Sequence, residues 1–186
     1  MKQSEWKSQI DETTRLFTES FGGLNSRELN WKPHPKSWSI GQNIHHLIVI
    51  NQSYFPIIET IRKGNYQVPF VGKVGFLVRF FGQFLLKTVA ADRKQKVKTF
   101  RIWEPSESMI DADIVALFNV HQESLKQVIE DAQDLVDQGM VISSPANKNI
   151  VYRLDKAFDI IVTHELRHYA QAKEVLQAMN EAGTSK

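Results

Sequence analysis

An all-α fold is what the sequence predicts: a four-helix bundle with a long crossover connection between the second and third helices, in a single domain over residues 1–186. Three observations carry this expectation. Apolar residues recur at three- and four-residue steps along four long segments. Alternation of the kind that marks strands is nearly absent. A long stretch, residues 65–108, separates the second segment from the third, enough chain to run the length of a bundle.

The first helix is marked by Trp6, Ile10, Thr13, Phe17, Phe21 and Leu24 on one face, with Gly22-Gly23 at its end. Residues 25–37 hold Pro33 and Pro35 and read as a loop. The second helix starts sharply at Ser39-Ile40-Gly41-Gln42, since Ser followed three residues on by Gln makes a capping box. Ile40, Ile44, Leu47, Asn51, Phe55, Ile58 and Ile61 continue it; Pro56 removes a backbone donor and predicts a kink, and Gly64 a stop. Within the connection, Phe70, Val74, Leu77, Phe81, Phe84 and Leu85 form another stripe, read as a short helix lying across the bundle. The basic residues on its other face also fit a membrane-surface or partner-binding helix. KVKTFRIW, residues 96–103, reads as extended and closes at Glu104-Pro105. The third helix carries Ile110, Ile114, Leu117, Phe118, His121, Leu125, Val128 and Ala132; Gly139 follows its end, and residues 143–149 read as loop. The fourth runs from about Leu154 to Met179, with Phe158, Ile161, Glu165, His168, Ala172 and Leu176 along its stripe.

Composition narrows the function classes. The formal charge is +2 with both signs well mixed, which argues against nucleic-acid binding as the main task. With no cysteine, disulfides and thiolate metal sites are excluded, and a reducing, cytoplasmic location is expected. The opening MKQSEWKSQI has no apolar signal core. Residues 37–58 lack acids, Lys and Arg but hold Gln42, Asn43, His45, His46 and Asn51; residues 70–89 are interrupted by Lys73, Arg79 and Lys87. Neither reads as a transmembrane segment.

The chemistry sits on the fourth helix, in THELRHYAQA. His164 and His168 lie one turn apart and project from one side, a pairing able to grip one divalent metal. The plainer reading is two polar residues at the edge of a buried face. With Glu165 the string spells H-E-x-x-H, the signature of zincin-type metalloproteases, where the Glu is general base. That reading requires a third ligand downstream, yet no His follows His168, and Glu174 and Glu181 belong to the same helix. A third ligand must then come from upstream, where His45-His46 lies on the capped second helix. His46 shares a line with Gln42, Ile50 and Ser53, whereas His45 points about 100° away. His46, His164 and His168 together would make a tris-imidazole site with positions open, as catalytic metal sites have. The plainer reading of His45-His46 is one surface and one core histidine.

Leu29-Asn30-Trp31-Lys32-Pro33, then Lys36-Ser37-Trp38-Ser39-Ile40-Gly41-Gln42, then His46-Leu47, resembles the DinB/YfiT-like superfamily of bacterial metal-binding helical bundles. Trp38 to His46 matches its W-S-x-x-[EQ]-x-x-x-H-L element. His164, His168 and Gln171 match its H-x-x-x-H element, often followed by R-G-Q. KVKTFRIWEP is similar to the family's stretch before the third helix. Tyr169-Ala170 stands where many members have Arg-Gly, which puts contacts made by that Arg in doubt; Arg167 is offered in its place.

The resemblance implies a divalent metal, zinc or nickel, on His46, His164 and His168. It further implies a homodimer and a small-molecule substrate handled by a hydrolase or by a thiol S-transferase with a low-molecular-weight thiol cosubstrate. Glu165 and Gln171 are the candidate catalytic residues. Glu165 would accept a proton or orient a ligand imidazole, or else be a partly exposed acid paired with Lys or Arg. Gln171 would bind substrate or cap a neighbouring helix. His121 is held as a fourth ligand or ligand-supporting group against the plainer reading of a core histidine. The alternatives are a non-catalytic metal-binding stress-related protein, and a partner-binding bundle in which the histidines are incidental.

Overall fold

The computed structural model describes residues 2–90, 99–106 and 109–184. In chain order the elements are α1 (Lys2–Phe21), α2 (Ser26–Asn30), α3 (Ile40–Gln52), α4 (Phe55–Arg62), α5 (Gly75–Val89), α6 (Ile114–Asp131), α7 (Gln133–Asp137), β1 (Val141–Ser144), β2 (Asn147–Arg153) and α8 (Leu154–Thr184), with 3₁₀ turns at Phe70–Lys73 and Arg101–Trp103. The fold is mostly helical.

Each of the helices α1, α3, α6 and α8 has one apolar face, and these faces meet. α1 packs on α6 and α8, and α3 packs on the same two. Cross-helix pairs give their directions. Trp6 meets Phe158 and Phe17 meets Tyr169, so α1 and α8 run the same way. Lys7 pairs with Glu130 and Asp11 with Lys126, so α6 runs against α1. Asn43 bonds His168 and Asn51 bonds Glu165, so α3 runs against α8. α3 and α6 are therefore co-directional.

Two apolar clusters fill the interior. One holds Trp6, Ile10, Leu125, Tyr152 and Phe158; the other holds Phe17, Phe21, Leu47, Phe118 and Ala172. At their junction each long helix contributes one fully buried polar side chain: Thr13, Asn51, Gln122 and Glu165.

Several expectations are corrected. The loop expected over residues 25–37 begins with α2, whose N-cap Asn25 accepts from the backbone N–H groups of Arg27 and Glu28 while Glu28 reaches back to the Asn25 N–H. The prolines act only after it. Pro56 separates two helices rather than kinking one: it sits at the start of α4, where its missing N–H is harmless. The loop expected at residues 143–149 belongs to an antiparallel hairpin, with Val141 opposite Arg153 and Ile142 opposite Tyr152. Ile142 and Tyr152 are wholly buried on its core side, and Val151 on the opposite face is wholly buried beside Gly72 of the Phe70–Lys73 turn. Of the extended stretch 96–103, residues 96–98 lie outside the described residues, and Arg101–Trp103 is a 3₁₀ turn.

α5 is a helix, as expected, but it buries a different face. Val78 and Gly82 are its buried positions. Gly82 faces β2 and α8, where a Cβ would stand at ordinary contact distance, 3.4–3.5 Å, from Tyr152 and Lys156. Phe84, placed on the predicted inner stripe, is 52% exposed, together with Phe76 and Phe80.

Candidate metal centre

The centre begins with the cap of α3. The Ser39 hydroxyl accepts from the Gln42 N–H, and the Gln42 side chain accepts from the Ser39 N–H. This fixes the first turn, so Asn43 and His46, three residues apart, share one face toward α8. From α8, His164 and His168 project one turn apart. The three imidazoles converge: ring centroids are 5.2 Å (His46–His164), 4.7 Å (His46–His168) and 4.4 Å (His164–His168). One nitrogen from each lies within 4.8 Å of the other two.

Hydrogen bonds decide which nitrogens are free. His46 Nδ1 lies 2.6 Å from the Trp103 carbonyl oxygen. A carbonyl only accepts, so Nδ1 carries the hydrogen and Nε2 a lone pair. His168 Nδ1 lies 2.7 Å from Asn43 Oδ1. The orientation of that amide is itself fixed, because Asn43 Nδ2 donates to the Ser39 carbonyl at 2.9 Å. His168 therefore donates from Nδ1 and presents a lone pair on Nε2, which faces His164 Nε2 at 3.0 Å. Without an ion His164 Nε2 donates a hydrogen to that lone pair; with its hydrogen on Nδ1 instead, both Nε2 lone pairs are available to one cation. Nδ1–H donated to an oxygen is also the arrangement that orients histidine ligands and raises their basicity.

The electrostatics suit a cation ligand set. Burial pushes the His46 imidazole down to about 4, helped by neighbouring His45 and opposed by the Trp103 carbonyl. Burial, then the adjacent imidazoles and Arg167, holds His168 well below the usual histidine range; burial, then His46 and Arg167, does so for His164. Neutral imidazole is the form that binds metal. Donor type, convergence and supporting bonds all fit a divalent ion.

The cluster forms one wall of a pocket of about 420 Å³. Trp38 covers the rings, 5.7 Å from His168 in a stacked arrangement and 4.9 Å from His46. The far end reaches Tyr54 and Tyr152, whose hydroxyls bond each other at 2.8 Å, and the α5 side chains Leu85 and Val89 form a side wall. Gln171, Arg167 and Glu174 also line it.

Glu165 does not line this pocket. One residue past His164 it points about 100° away, into the buried polar layer. There Asn51 Nδ2 donates to one carboxylate oxygen at 2.8 Å and Gln122 Nε2 to the other at 2.9 Å. Burial raises its carboxyl to about 7, with the two amides pulling the other way. No Lys or Arg pairs with it among these contacts. His121 is also apart from the centre: it stacks on Phe55 at 5.9 Å, and both ring nitrogens are buried without a hydrogen-bond partner.

A family model described as the DinB superfamily matches residues 9–172. The chain belongs to the DinB superfamily. No curated protein and no solved structure gives a match. Within this DinB-superfamily chain, Tyr169 turns inward, bonding Ser20 Oγ at 3.0 Å and meeting the Phe17 ring at 5.4 Å. Arg167 donates from Nη1 to the Thr88 and Ala90 carbonyls at the end of α5, at 2.8 and 3.3 Å. Sequence reasoning missed Asn43 and Trp103. A polar residue three positions before a candidate ligand was a signal for Asn43; a backbone carbonyl leaves none.

Proposed function

We propose that the protein is a divalent-metal-dependent enzyme acting on a small molecule, with the metal held by His46, His164 and His168. The observation that supports this best is the pair of Nδ1–H donations, to Trp103 and to Asn43, which turn two Nε2 lone pairs toward one point on a pocket wall. An all-imidazole donor set suits zinc or nickel. A bound ion of this kind supplies Lewis acidity, lowering the pKa of a water or thiol that joins it.

The chain's own residues do the rest. Trp38 shields the rings from bulk water. Gln171 offers the substrate a hydrogen bond, and the apolar walls from α5 and the hairpin receive its carbon skeleton. Glu165 acts as a positioning residue that fixes α8 rather than as the general base of a zincin-type metalloprotease. With Glu165 turned away, Glu174 is the acid that remains among the described pocket residues. S-transfer from a low-molecular-weight thiol needs no further protein base in such a pocket, because a thiol near its metal ionises readily without one. We read the four long helices as the family's four-helix bundle, with the crossover demanded by co-directional α3 and α6, and the assembly as the homodimer the family implies.

Metal content of the purified protein and of His46→Ala is the first test. Stoichiometric zinc or nickel that is lost in the variant is expected; equal content in both refutes the ligand assignment. Turnover of a panel of electrophiles with several small thiols, against ester and amide hydrolysis, then separates transferase from hydrolase. Metal without any turnover would mark a non-catalytic metal-binding protein.

A further inference from the structure

α5 has two apolar faces, and the pocket uses one. Leu85 and Val89 turn inward to the pocket wall, with Val78 and Gly82 buried beneath. On the opposite side Phe76, Phe80 and Phe84 follow at four-residue steps, 63%, 57% and 52% exposed, and Phe70 in the preceding turn is 81% exposed. Phe80 and Phe84 stack face to face at 6.0 Å. Large aromatic rings gathered on one solvent-facing helix stripe mark a docking surface rather than scattered surface apolarity.

Charge identifies what docks. Residues 65–91 carry Lys73, Arg79 and Lys87 and no acid. Over residues 65–101 the sequence has eight Lys or Arg against one acid, while the rest of the chain has fifteen against twenty. By sequence the chain thus divides into a stretch of net charge +7 and a remainder of net charge −5. On α5, Arg79 and Lys87 are exposed beside the phenylalanines, and Lys73 is exposed in the turn before them. A second copy meeting this face with its own α5 face, as two-fold symmetry requires, would oppose like charges. A phenylalanine stripe edged by cations matches an interfacial helix whose rings enter the headgroup–acyl boundary while its cations meet lipid phosphates. No helix among the described residues is long and apolar enough to cross a membrane, so the contact would be a surface one.

We propose that the outer face of α5, formed by Phe70, Lys73, Phe76, Arg79, Phe80, Phe84 and Lys87, docks on an anionic lipid surface. This stands independently of the metal chemistry, and it would set one wall of the pocket against the bilayer.

The test is cosedimentation of the full chain with vesicles of phosphatidylcholine alone and of phosphatidylcholine containing about 30% phosphatidylglycerol, at low and at high salt. Binding is expected only to the anionic vesicles, and it should weaken with salt. Phe80→Ser with Phe84→Ser should abolish it. Arg79→Gln and Lys87→Gln should each weaken it about fivefold. These positions are exposed, so circular dichroism should report unchanged folding, and Val120→Ser, an exposed apolar site on α6, should bind as the unmodified chain does. Absence of binding to anionic vesicles, equal binding to neutral ones, or indifference to the phenylalanine substitutions overturns the proposal. So does a phenylalanine variant that shifts the lipid-free protein to a smaller species in sedimentation velocity while vesicle binding is absent, because a second copy would then cover the face.

Discussion

Asn43→Leu isolates the bond that sets the His168 tautomer. The replacement removes the acceptor 2.7 Å from His168 Nδ1 and the donor 2.9 Å from the Ser39 carbonyl. Ser39 loses little, since its carbonyl still accepts from the Asn43 backbone N–H at 3.1 Å. His168 loses more. It is 5% exposed, so an Nδ1–H without a partner costs about 1–3 kcal/mol. The ring escapes that cost by moving its hydrogen to Nε2, the nitrogen the metal requires. Either route weakens metal binding by about 10–100-fold, or 1.4–2.7 kcal/mol. The assay is competition for zinc with a chelator of known affinity, with thermal unfolding run in parallel. Asn43→Asp is the counterpart: a carboxylate still accepts from His168, so affinity is retained, but its second oxygen faces the Ser39 carbonyl and stability falls. Zinc affinity of Asn43→Leu within threefold of the unmodified protein would refute the tautomer argument.

Two buried titrating groups predict opposite pH slopes. His121, pushed down to about 4 by burial, stays neutral in the fold while the unfolded chain takes up a proton. Its stabilising contribution is thus present above pH 6.5 and lost as pH falls toward 4. At pH 5 the loss is about 2 kcal/mol, so the unfolding free energies of His121→Phe and the unmodified protein, from urea titrations, should diverge by that amount between pH 8 and pH 5. Glu165, raised to about 7, contributes stability that is present below about 4.5 and lost as pH rises through 7. Glu165→Gln should therefore gain on the unmodified protein by up to about 3 kcal/mol across that window in the same unfolding measurement, with metal content unchanged. Gly72→Ala would bring a Cβ within 2.6 Å of Val68 Cγ1 and 3.3 Å of Val141 Cγ1, where the turn before α5 meets the hairpin. A cost of about 1–3 kcal/mol, seen as a lower melting temperature without loss of metal, is expected.

Much of the centre was legible because it depends on periodicity and capping. The Ser39–Gln42 box fixed the phase of α3, and from that phase His46 rather than His45 faced α8. The hairpin was hidden because its buried residues, Ile142, Val151 and Tyr152, flank a polar turn that reads as loop on composition. α2 was hidden by the prolines after it, although Asn25 and Glu28 spell the same capping logic as Ser39 and Gln42. The face of α5 could not be read: a helix apolar on both sides has no phase of its own, and its packing on β2 and α8 chose it. Glu165 likewise carried no mark of its partners, since Asn51 and Gln122 come from helices far away in the chain.

Arg167 stands between the two histidines of α8 in sequence, and its guanidinium grips the terminal carbonyls of α5. One side chain thus ties the outermost helix to the turn that carries His164 and His168. The pocket wall that α5 supplies and the wall that carries the histidines therefore share a fastening.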